Sequence, residues 1–216
     1  MGARYREMPM RRMQRMSAAI SIAGFIIYLG VAAAVQAMHP DEFARAPISA
    51  YLKGPASGWL QSAYYVLAAS LVSLGVGIFM ARPPRRHIAA GCLLWIAGCS
   101  VVMVAWSSAP WPMPGNPTEA TRRGIHNYSS AMVFLAIPTV MFLETTLLWR
   151  RRTGIAVLVF AVVVFLIELA ASQGTADAPR IYGALQKFFI IGLVSWLIAA
   201  GSRIFIAAGA WERAGG

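Results

Sequence analysis

Charge is what this chain has least of. Only 12% of its 216 residues are Asp, Glu, Lys or Arg, about half the share an ordinary soluble domain carries. With 58% hydrophobic residues, that leaves too little polarity to cover a water-facing surface. Acidic residues are scarcer still, 8 against 19 basic ones, for a net charge of +11. Such a balance can signal nucleic-acid binding, but here the arginines sit in short clusters between apolar runs, so no nucleic acid is expected. Cysteine is nearly absent. Cys92 and Cys99 lie in one apolar run, and seven helical residues rise about 10.5 Å, too far for a disulfide within the helix. They are expected to be inert buried thiols. No run alternates as a barrel strand does, and there is no C-x-x-C-H, serine elbow, zinc helix motif or phosphate loop. No metal and no cofactor is expected: His39 and His126 could in principle be ligands, but no spacing selects them.

Long apolar runs are abundant. Six can cross a hydrocarbon core that takes about 20 helical residues: Ser17–Met38, Gly58–Ala81, His87–Trp106, Gly124–Trp149, Thr153–Ser172 and Ala184–Ile206. The fold class expected is all-α, a polytopic membrane protein built as a bundle of six transmembrane helices. It has a basic tail over 1–16, the helical domain over 17–206 and a short tail over 207–216. Orientation follows from lysine and arginine. Arg4, Arg6, Arg11, Arg12, Arg15, Arg82, Arg85, Arg86, Arg150, Arg151, Arg152, Arg203 and Arg213 fall on one side. Arg45, Lys53, Arg122, Arg123, Arg180 and Lys187 fall on the other. That split makes both termini cytoplasmic. The first run is longer than a cleaved signal core, so an uncleaved first helix is expected. The arginine-rich, alanine-rich composition suits a bacterial inner membrane.

The inner connections, RPPRR and RRR, are short. The outer ones are longer, and the first, His39 to Trp59, combines charge, proline, glycine and aromatics. Pro47 and the Gly54–Pro55 pair limit it to one short helix. Ser57 and Thr118 are expected N-caps. Small residues at Ala69, Ser73 and Gly77, at Gly91 and Gly98, and at Gly192, Ser195, Ala199 and Ser202 mark faces where helices approach closely in lipid. Trp59, Trp106, Trp111, Trp149 and Trp211 read as interfacial belt residues.

Two stretches carry a resemblance. ISAYLKGPASGWLQSAYYVLAASLVSLGVGIF at Ile48–Phe79 holds the pattern I-S-x-Y-L-x-G-P, and GIHNYSSAMVFLAIPTVMF at Gly124–Phe142 follows Arg123 as R-x-I-H. With a last helix carrying Trp196, these make the chain similar to the uncharacterised six-helix prokaryotic membrane proteins known as domain of unknown function number 998. The resemblance implies six helices. It implies no activity and no catalytic residues.

A charge near the bilayer centre costs about 2.5–3.5 kcal/mol on insertion scales, so intramembrane charges need partners. Glu144 and Arg203 fall at similar depth near the cytoplasmic ends of their helices and are expected to form a structural ion pair. At the outer helix ends His39, Asp41, Tyr51, Arg122, His126, Glu168, Gln173 and Lys187 supply groups of both signs, with His126 on one face with Ser129 and Ser130. These are the candidates for a pocket that binds a lipid-like or small polar ligand. A non-catalytic accessory or assembly subunit is the alternative, and a small-solute or proton-coupled transporter the third. Whether the protein is an enzyme is left open, and beyond the lipid bilayer no partner is specified.

Overall fold

The computed structural model describes residues 2–80, 85–108, 117–144 and 182–213, together with helical positions 155–156, 159–160, 162–163 and 166. All regular structure among them is helical: α1 (Gly2–Ala37), α2 (Ser57–Phe79), α3 (Arg85–Ser108), α4 (Glu119–Leu143) and α5 (Tyr182–Arg213), with short 3-10 turns at Pro40–Glu42 and Ile48–Lys53. These five helices are each long and apolar enough to cross a membrane. A helix satisfies its own backbone in lipid, which is why runs of this composition take no other form there.

α1 reaches well beyond the apolar run and carries the helix through the basic segment. There Arg11 Nη1 donates to Gln14 Oε1 and the Arg15 guanidinium lies 4.7 Å from the centre of the Phe205 ring. The helices pack as successive antiparallel neighbours, α1 on α2, α2 on α3 and α3 on α4, while α5 runs back along α1. Positions near Gln14 and Ser17 on α1, Gly77 on α2 and Ile204 on α5 therefore share one end of the bundle. The loop 38–56 and the start of α5 share the other, called here the loop end.

Packing follows small residues, but not always the expected ones. At Gly98 an added Cβ would lie 3.1 Å from the Ala68 carbonyl oxygen and 3.0 Å from Val72, so α2 and α3 meet backbone to backbone. Ala69 and Ser195 are exposed or off the packing face, and a Cβ at Gly192 would meet nothing. Cys92 and Cys99 are free and exposed, contrary to the expected burial: they lie on the face of α3 turned away from its neighbours. Thr118 caps α4 by accepting from Thr121 N at 3.2 Å, whereas α2 begins at Ser57 behind Ala56 with no side-chain cap. Pro138 is buried inside α4, and Thr139 Oγ1 next to it donates to the Leu135 carbonyl at 2.7 Å. Trp59 is exposed and Trp106 half-buried; Trp111 and Trp149 lie outside the described residues.

Candidate functional site

The loop 38–56 is docked onto the first turn of α5. Ala184 N, a helix-start donor with no intrahelical acceptor, donates to the Ala44 carbonyl at 3.2 Å. Ile48 N donates to Gln186 Oε1 at 3.3 Å, and Lys187 Nζ donates to the carbonyls of Phe43 at 2.8 Å and Ala46 at 2.7 Å. Gly183 permits this approach, since a Cβ there would sit 2.5 Å from the Ala46 carbonyl oxygen and 2.8 Å from its nitrogen. Lys187 is only 6% exposed. Its ammonium also lies 4.9 Å from the Phe43 ring centre and 5.6 Å from that of Tyr51, so rings and carbonyls together replace its lost hydration.

Tyr51 ties the loop to α1. Its ring stacks on His39 at 4.9 Å and 6°, and its hydroxyl donates to Gln36 Oε1 at 3.3 Å while Gln36 Nε2 donates to the His39 carbonyl at 2.7 Å. Burial pushes the Tyr51 phenol above its ordinary value, opposed by the bond to Gln36; the buried anion would lose water it cannot replace.

Two adjoining cavities lie beneath this lid. The first is a cleft of about 330 Å³ between α1 and α5, lined by Tyr28, Leu29, Ala32, Ala33, Ile190 and Ile191, with Gln36, Phe43 and Lys187 at its loop end. The second, about 60 Å³, lies inside the bundle. Tyr28, Ile48 and Ile190 line both. The inner cavity gathers polar groups from five elements: Tyr28 of α1, Ser49 of the second 3-10 turn, Tyr64 of α2, Ser130 of α4 and Gln186 of α5. Gln186 is fixed by its bond from Ile48 N and by donating to the Tyr182 hydroxyl at 3.1 Å. Ser130 is 8% exposed.

Of the residues singled out from sequence, the structure brings His39, Tyr51 and Lys187 together and leaves Asp41 exposed in the first 3-10 turn. Arg122 is half-buried on α4. His126 sits apart, sharing a 2.8 Å hydrogen bond between its Nδ1 and Ser108 Oγ. Glu168 and Gln173 lie outside the described residues. The expected Glu144–Arg203 pair is corrected. Glu144 is fully buried and its Oε1 is bonded to His87 Nδ1 at the start of α3, while its Oε2 has no partner. Arg203 is exposed on α5. α4 packs along α3 far more extensively than along α5, so the histidine reaches the carboxylate first.

Sequence reasoning did not pick out Tyr28, Tyr64 or Gln186. The available signal was a hydrogen-bonding side chain interrupting an apolar run. Among the described residues no group of three or more His, Cys, Asp and Glu could hold a metal ion.

No curated protein and no solved structure matches the chain. A family model described as a protein of unknown function, DUF998, matches residues 21–203, from the second turn of the apolar part of α1 to the last third of α5. That span takes in the docked loop and both cavities, and the chain belongs to the DUF998 family.

Proposed function

We propose that this protein is a six-span membrane protein that holds the hydrocarbon chain of a membrane lipid in the α1–α5 cleft. Parity supports the sixth crossing. Glu144 lies with His87 at the end where α3 begins, and Tyr182 lies at the loop end, so residues 145–181 must change ends an odd number of times. Their apolar stretch 153–172 is long enough for one crossing, and within it the Phe160 ring lies 5.4 Å from Phe189 of α5. With six spans both termini share a face, and the excess of arginine there assigns it to the cytoplasm. A bacterial inner membrane is the setting this composition suits.

The observation that carries the binding reading is the cleft. Its volume of about 330 Å³ falls in the range of ligand pockets, its walls are apolar, and it lies between two helices that are each long and apolar enough to cross a membrane. Exposed Phe188 and Ile191 continue its α5 wall onto the outer helix face. Native mass spectrometry of protein extracted with its lipids tests the proposal. Wild-type protein is expected to retain a lipid adduct. Ala33→Trp, which fills the cleft from an exposed position, is expected to retain roughly tenfold less, about 1.4 kcal/mol of binding. Equal retention by the two proteins counts against the cleft.

A further inference from the structure

We infer that the bound lipid carries a small uncharged hydrogen-bonding head, such as a hydroxyl, which passes between Tyr28, Ile48 and Ile190 into the inner cavity and bonds to Ser130. The inference rests on the reading of the cleft as a lipid-chain site and adds the chemistry of the head group.

Ser130 carries the argument. Ser62, Ser70, Ser202 and Thr139 each donate to the carbonyl four residues earlier in their own helices, the usual fate of a hydroxyl in an apolar helix. Ser130 is more than nine-tenths buried, lines the inner cavity and makes no hydrogen bond among the described residues. Its hydroxyl is thus left available to bond water or a ligand in the cavity. Ser49, on the opposite wall, likewise lines the cavity with no hydrogen bond among the described residues.

The charge of the lining selects the head. Among the described residues no charged side chain faces the inner cavity, so a phosphate or carboxylate entering it would lose its hydration without compensation. The nearest ammonium, Lys187, lines only the outer cleft and is already spent on two carbonyls and two rings. A hydroxyl or carbonyl, by contrast, can both fit about 60 Å³ and exchange hydrogen bonds with Ser130. The two cavities share three lining residues and so adjoin, as the head and the chain of one molecule require.

The test adds 1-hexadecanol or hexadecyl phosphate to the purified full-length protein and measures each affinity by native mass spectrometry, with thermal unfolding as a check on the fold. The wild type is compared with Ser130→Ala, Ser130→Leu and Ala33→Trp. Hexadecanol is expected to bind the wild type and to weaken roughly two- to tenfold in Ser130→Ala, the worth of one hydrogen bond. It is expected to be lost in Ser130→Leu and in Ala33→Trp, while the phosphate is indifferent to both Ser130 changes. Hexadecanol that is weakened by Ala33→Trp but not by Ser130→Ala overturns the inference and leaves the cleft standing. Hexadecanol that ignores Ala33→Trp, or does not bind, removes the cleft and the inference together. Should Ser130→Leu fail to fold, Ser130→Ala alone decides.

Discussion

Glu144 has no exposed surface, one oxygen on His87 and the other without a partner. Removing one member of such a pair strands the other, which costs about 3–5 kcal/mol, whereas replacing both with apolar groups can be neutral or better. His87→Leu is therefore expected to lower the thermal midpoint sharply, and His87→Leu with Glu144→Leu to recover most of the loss. A double variant no more stable than the single would contradict this. At the loop end, the raised Tyr51 phenol makes a second residue-level prediction. A pKa higher in the folded than in the unfolded protein means that the stabilisation is complete below the ordinary value of about 10 and is lost as pH rises through the raised one. The difference in phenolate absorbance between wild type and Tyr51→Phe should develop above pH 10 and accompany loop release. Development at the ordinary value would show that the ring is not buried. Depth along the helix was legible for Glu144, since its distance from the arginine cluster is a count of residues. Its partner was not. His87 and Arg203 lie at matching depth, and only the order of helices around the bundle chooses between them.

Between helices and their connections, the spans α1 to α5 could be read because each is a run of about 20 apolar residues, a signal that depends on composition alone. The docked loop could be read only as a polar break. Its shape comes from hydrogen bonds that span 138 to 144 positions of sequence, and nothing in IYGALQK announces that Gly183 and Lys187 receive it. The inner cavity escaped for a related reason: Tyr28, Tyr64, Ser130 and Gln186 stand on four different helices and converge only when those helices rotate into place. Gly183 makes the docking testable. A methyl group there meets the Ala46 backbone at 2.5 Å, and backbone cannot yield as a flexible side chain does. Gly183→Ala is expected to cost about 1–3 kcal/mol, the scale of overpacking, and to expose amides of residues 44–48 to faster hydrogen exchange. Unchanged protection would mean that the loop holds without this approach.

At the scale of the whole molecule, the proposed six-span arrangement predicts which parts face which compartment. In a background with Cys92 and Cys99 replaced by alanine, Lys53→Cys is expected to react with a membrane-impermeant maleimide added outside intact cells. Arg12→Cys is expected to react only after lysis. Both positions are exposed, so a silent site would reflect sidedness rather than burial. Labelling of both from outside would reverse or abolish the assigned orientation.

The docking of the loop onto α5 also sets a schedule for biogenesis. The loop leaves the ribosome more than a hundred residues before Gly183, Gln186 and Lys187, and at about 5–20 residues per second that gap is on the order of ten seconds or more. Throughout that interval the carbonyls of Phe43, Ala44 and Ala46 lack the donors that later hold them. The first connection made is thus among the last to be finished, and a chain cut short before α5 carries an open loop at its surface. Completion of the first turns of α5 is the event that closes it.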